Sequence, residues 1–210
     1  MEIQMNKILG YGEDALTLWA LKRHVSKILE KFQDKTAPSK CLTFYRPSFG
    51  RRSRKGSSVF GEFDAIIVSP KNIYLIESKW DNLTEYRKYE IKLGQEQKLR
   101  HEIFSWYLMH WNKKYSGRWE SFRENYRGKF KFQRKTMPLK GSLLATNLEF
   151  ILTKSLKHCK AISRNNIKNV LLFFHNAKKP KKLPKISKAF KVIHIDYSKE
   201  TKDNFVTLSG

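Results

Sequence analysis

The sequence predicts an α/β (α+β) fold in which a mixed central β-sheet is flanked by helices. Three observations lead there. Apolar residues recur at helical period in three segments, 12–32, 84–115 and 143–161. Strand-like apolar runs lie between and after them, at 40–46, 59–68, 72–80, 170–175 and 191–197. The resulting order is helix, three strands, helix, insertion, helix, strand, strand, which packs helices against one sheet. The 210 residues suit a single domain, 1–210, carrying an aromatic and basic insertion at about 116–140.

The elements follow in order. In the first helix Leu18, Leu21, Val25, Ile28 or Leu29, and Phe32 recur at i+3 and i+4. On a helical wheel set by those residues, Asp14 falls inside the apolar stripe and Glu13 outside it. Two strands, 59–68 and 72–80, are joined by Ser69-Pro70-Lys71-Asn72, with proline at the second turn position that tight turns favour. Ile73-Tyr74-Leu75-Ile76 is apolar without alternation, as in a strand buried on both faces. The second helix carries a stripe of Leu99, Ile103, Trp106 or Tyr107, and Trp111, with an interruption near Gly94. Lys129, Lys131, Arg134 and Lys135 alternate with Phe130 and Phe132, a pattern that predicts an edge hairpin.

Composition narrows the function. Lys and Arg number 43 against 19 Asp and Glu, a formal charge of +24. So much charge on one domain repels itself, and a polyanionic partner explains it best. Hydrophobic residues at 40% and aromatics at 13% are too many for a disordered basic tail. No apolar run approaches the ~20 residues of a membrane span. Met1 to Gly10 has no signal-peptide core, and Cys41 and Cys159 stand far apart without metal-ligand spacing, so a cytoplasmic protein with reduced thiols is expected. Glycine-rich phosphate cradles are absent, and the six histidines show no metal-binding spacing.

The chemistry concentrates in Gly61 to Lys79. In an antiparallel hairpin closed at Ser69 and Asn72, Asp64 and Glu77 have the same index sum as the turn ends and oppose each other directly. Two opposed carboxylates repel unless a hard cation lies between them. Lys79 is two residues beyond Glu77 and projects from the same face. A one-residue slip of the hairpin would turn Asp64 away.

Asp64, twelve intervening residues and then Glu77-Ser78-Lys79 resembles the motif of the PD-(D/E)xK nuclease superfamily, which includes restriction endonucleases and junction resolvases. The resemblance covers the core: first helix, three-strand meander, following helix and a further strand. It implies a restriction-endonuclease-like core, with Asp64 and Glu77 as metal ligands and the Ser78 carbonyl as a third. It implies Mg²⁺, for which Mn²⁺ substitutes, and a Lys79 that stabilises the attacking water or the developing charge. The chain departs from the pattern at Phe63, which stands where the family has proline. Such nucleases often carry a glutamate on the first helix near the metal. Glu13 matches that place, while the wheel favours Asp14, so both stay open.

The expected activity is therefore Mg²⁺-dependent cleavage of double-stranded DNA, most like a type II restriction endonuclease acting as a homodimer on a two-fold symmetric site. Arg51, Arg52, Arg54 and Lys55, in a Gly/Ser-rich loop before the hairpin, are the expected DNA contacts. Gln95 and Gln97 are candidates to reach the site. A junction resolvase or repair nuclease of the same superfamily is the alternative. A non-catalytic DNA-binding module is the alternative of another class.

Overall fold

A computed structural model describes residues 7–50, 57–81, 90–91, 94–132, 135–178, 185–186, 190–202 and 205–208. The strands are β1 (Leu9–Tyr11), β2 (Leu42–Tyr45), β3 (Ser48–Phe49), β4 (Gly61–Glu62), β5 (Ala65–Val68), β6 (Ile73–Trp80), β7 (Glu90–Ile91), β8 (Ile167–His175), β9 (Lys185–Ile186), β10 (Lys191–Asp196), β11 (Thr201–Lys202) and β12 (Phe205–Thr207). The helices are α1 (Gly12–Arg23), α2 (Val25–Glu30), α3 (Gln95–His110), α4 (Trp119–Tyr126) and α5 (Leu143–His158). The expected mixed sheet is present, five strands in the order β10-β8-β6-β5-β2, with β10 parallel to β8 and β2 antiparallel to β5. Among the described residues no helix is long and apolar enough to cross a membrane. The chain divides into two compact units, one of residues 1–39, 76–92 and 169–210, the other of 40–75 and 93–168.

In the unit formed by 40–75 and 93–168, strand alternation sends Ile66 and Val68 of β5 and Ile73 and Leu75 of β6 into one core. Ile103, Phe104, Tyr107 and Leu108 of α3 and Ala145, Leu148, Ile151 and Leu152 of α5 fill it at helical spacing. The turn between β5 and β6 closes as the sequence predicts. Ser69 N–H donates to the Asn72 carbonyl at 2.8 Å, and the Ser69 hydroxyl accepts from the N–H groups of Lys71 and Asn72.

The segment 59–68 differs from the single strand expected. It is two strands, β4 and β5, split at Phe63-Asp64. Opposite the split stand Arg46, at φ 48°, and Pro47, which has no N–H to give. Register is unchanged across the gap, with Tyr45 opposite Ala65 and Ser48 opposite Glu62. The ladder thus bends without slipping. Phe63 N–H donates to the Pro47 carbonyl at 3.2 Å. A proline at 63 could not make that bond, which gives this departure from the nuclease pattern a local reason. The Phe63 ring is fully buried against Phe49, Phe104 and His101.

The aromatic segment after α3 is core. Phe122 of α4 lies within 5.0–5.6 Å, centroid to centroid, of Trp111, Tyr115, Trp119 and Tyr126. Where an edge hairpin is expected at 129–135, the described residues hold no strand, and 133–134 lie outside them. A 3-10 turn spans Arg127–Lys129, and Phe130 packs 5.0 Å from Trp106. Burial of Phe130 outweighs the alternating charge pattern. Gln97 also has a local role. Its side-chain oxygen accepts from Gly94 N–H at 3.0 Å and caps α3.

In the unit formed by 1–39, 76–92 and 169–210, β8 and β10 pair in parallel beside the end of β6. A second, three-stranded sheet has the order β1-β12-β11. The single helix expected over 12–32 breaks at His24, whose φ of −126° is not helical. Glu90–Ile91, expected within a helix, is a strand paired in parallel with β9. Two short strands can pair wherever their edges meet, and the period of a single segment does not report that.

Candidate active site

The site is built in the unit that contains α1 and the end of β6. On α1 the buried residues are Ala15, Leu16, Thr17, Trp19, Ala20 and Leu21, while Leu18 is only half-buried. The inward arc is thus nearly opposite the stripe drawn through Leu18. It makes Glu13 the inward carboxylate and leaves Asp14 exposed, which corrects the wheel. The wheel is centred on Leu18, whereas the buried arc of α1 is carried by the small Ala15 and Ala20, by Thr17 and by Trp19 as well as by Leu16 and Leu21.

Glu13 reaches the end of β6 with both oxygens. Oε2 accepts the Trp80 N–H at 3.0 Å, and Oε1 lies 3.5 Å from Lys79 Nζ. The two side chains are each 23% exposed. Burial pushes the Glu13 carboxyl above its ordinary value of 4.5. The charge and hydrogen bond of Lys79 and the Trp80 N–H oppose that rise, and Asp14 adds to it.

The strand end is pinned from the same helix. Thr17 Oγ1 donates to Ser78 Oγ at 2.8 Å, with both residues buried. The hydroxyl of Ser78 therefore has a structural partner. Glu77 is 2% exposed. A carboxylate buried that far is costly unless charge or hydrogen bonds compensate it. Beyond Lys79, Asp81 N–H donates to the Phe174 carbonyl at 3.0 Å. The Asp81 carboxylate accepts the Tyr197 hydroxyl at 2.7 Å and the Asn176 N–H at 3.0 Å.

Sequence reasoning missed Thr17 and Asp81. A lone threonine between Ala15-Leu16 and Leu18-Trp19 was the available signal for the first. For the second there was only an acid just past the motif.

Asp64 belongs to the other unit. It stands one residue before β5, half-buried, and its carbonyl accepts Arg46 N–H at 3.1 Å. Arg46 also pairs with Glu62 at 2.6 Å. Arg51, Arg52, Arg54 and Lys55 lie outside the described residues. Among the described residues no group of three or more His, Cys, Asp and Glu side chains could hold a metal ion. Comparison with protein-family models, with curated proteins and with solved structures gives no match.

The raised Glu13 carboxyl gives a pH dependence with a definite sign. The folded chain binds this proton more tightly than the unfolded chain does. Its stabilising contribution is full below pH 4.5 and is lost as pH rises through the higher folded value. Glu13→Gln keeps an acceptor for Trp80 N–H and should flatten that fall. Urea midpoints of the two proteins, taken upward from pH 4.5, check it. Parallel curves would contradict the burial argument.

Proposed function

We propose that this protein is a Mg²⁺-dependent DNA endonuclease of the PD-(D/E)xK type, acting as a homodimeric type II restriction endonuclease. The observation that carries the reading is the junction of α1 with β6. The first-helix glutamate, Glu13, sits on the motif lysine, Lys79, and on the N–H of the next residue, while Glu77 is buried two residues before. The sequence kept Glu13 only on resemblance, against its own wheel. The charge of +24 supports a polyanionic substrate.

The donor chemistry fits the proposed cation. Mg²⁺ keeps several waters and binds through one or two carboxylates together with substrate phosphate, so it does not need three protein carboxylates. The resemblance to the nuclease motif implies Asp64 and Glu77 as the ligands of this ion, with the Ser78 carbonyl as a third. Bound there, it would neutralise phosphate charge and acidify a water. The rest falls to the chain. Lys79 presents a cation to the negative charge that develops on the phosphate. Glu13 fixes the reach of the Lys79 side chain and, through Trp80 N–H, the end of the strand that carries it.

Supercoiled plasmid incubated with and without Mg²⁺ tests the reading. Discrete linear fragments that require Mg²⁺ are expected, from a protein that sediments as a dimer. Smears, or cutting of branched DNA alone, would favour a resolvase. Tight DNA binding with no cleavage in either cation condition would mean a binding module.

A further inference from the structure

The three-stranded sheet presents two aromatic rings to solvent next to the Glu13–Lys79 pair. Tyr11 and Phe205 face each other across β1 and β12, with ring centroids 5.3 Å apart. Tyr11 is 57% exposed and Phe205 42%. The Tyr11 ring stands edge-on to the buried Trp80 at 5.5 Å, and Trp80 is the residue whose N–H Glu13 holds. Tyr11 is also the residue that opens α1, two positions before Glu13. An open aromatic pair is thus connected through one buried ring to the proposed site.

The pair is built into the fold. On the opposite face of β1, a Cβ at Gly10 would lie 2.7 Å from the Ala15 Cβ and 2.7 Å from a Leu208 methyl. Only glycine lets β1 sit this close to α1, and that seat sets where the Tyr11 ring stands. Leu208 N–H donates to the Ile8 carbonyl at 2.8 Å, and Lys22 Nζ donates to the Leu208 carbonyl. The exposed rings therefore rise from a tied sheet, Tyr11 on its edge strand and Phe205 on its central strand, with Lys22 of α1 held at Leu208 just past β12.

We propose that Tyr11 and Phe205 form a stacking platform for an unstacked nucleobase of the nucleotide chain whose phosphate Lys79 contacts. This inference rests on the nuclease reading and adds a substrate requirement to it, a base out of the helical stack beside the cut. The occupant follows from charge and shape. A chain of +24 attracts polyanions, Lys79 offers the phosphate contact, and flat open rings suit a base, because every base has a π-face.

The test uses oligonucleotides carrying 2-aminopurine, single-stranded and duplex, without Mg²⁺ so that nothing is cut. Binding of the wild-type single strand should quench the probe. Tyr11→Leu combined with Phe205→Leu should lose the quench and weaken single-strand binding by roughly 5- to 100-fold. Tyr11→Phe should behave as wild type. Leucine keeps an apolar contact with Trp80, and thermal melting checks that the fold survives. Unchanged quench and affinity in the double variant would overturn the platform. So would conversion of a dimer to a monomer, since a second copy would then cover these rings. If the wild type binds with ring-dependent quench but never cuts DNA, the platform stands and the nuclease reading falls. If it cuts DNA without ring dependence, the reverse holds.

Discussion

Glu77→Gln and Lys79→Met should each lower Mg²⁺-dependent plasmid cleavage by at least about 100-fold, with DNA affinity little changed. The two substitutions act on different things. Glu77 is buried, so glutamine keeps its volume while removing the charge that the proposed cation needs and turning one acceptor oxygen into an NH₂ donor. Lys79 is less buried, and methionine keeps its stem while removing the cation proposed to face the phosphate. Affinity should survive because one lysine among 43 basic residues contributes little to sequence-independent phosphate binding. Lys79→Met also leaves Glu13 without its counter-charge. Its carboxyl should then titrate still higher, which shifts the pH dependence of stability in the direction opposite to Glu13→Gln. The catalytic and the electrostatic consequences are measured separately, by initial rates and by urea midpoints across pH. Wild-type cleavage by both variants would remove Glu77 and Lys79 from the chemistry and the mechanism with them.

How much of this was legible in the sequence depends on the length scale that fixes each feature. β6 was legible because its burial comes from a continuous apolar run, and the turn at Ser69 to Asn72 because its hydrogen bonds are local. The end of α1 was not legible, since the break at His24 leaves no proline or glycine to mark it. The wheel was centred on Leu18, which is only half-buried, while the buried arc runs through Ala15, Thr17, Trp19 and Ala20, so Glu13 and Asp14 exchanged places. The split at Phe63-Asp64 was hidden because what faces it, Arg46 and Pro47 between β2 and β3, lies elsewhere in the sequence. The short strands β1, β7, β9, β11 and β12 carry too few residues for a period, and only pairing defines them. The site was half-legible for a related reason. Glu77 and Lys79 announce themselves as charges ending an apolar strand, whereas Thr17 and Asp81 are recognised only by what they touch.

Asp81→Ala should be among the most damaging single changes outside the proposed chemistry. The residue is 6% exposed, and its carboxylate serves two donors, the Tyr197 hydroxyl and the Asn176 N–H. Burial, and then the hydrogen bond to Asp81, push the Tyr197 hydroxyl up, so it remains protonated and continues to donate. Alanine would strand both donors at about 1–3 kcal/mol each, a loss of about 2–6 kcal/mol in stability. Asp81→Asn should cost less, because its amide oxygen still serves one donor, but its NH₂ must face the other. Tyr197→Phe should cost only about 1 kcal/mol, since the Asn176 bond remains. The functional consequence follows from chain position. Asp81 ties the end of β6 to the ends of β8 and β10 through Phe174, Asn176 and Tyr197, and Lys79 is two residues before it. Loosening that tie should lower kcat for cleavage while leaving KM and DNA affinity near wild type, because a misplaced catalytic group slows the step without weakening phosphate contacts elsewhere. A merely structural role would lower stability and leave the kcat of the folded fraction unchanged. Chemical denaturation paired with single-turnover rates at a temperature where every variant is folded separates the two.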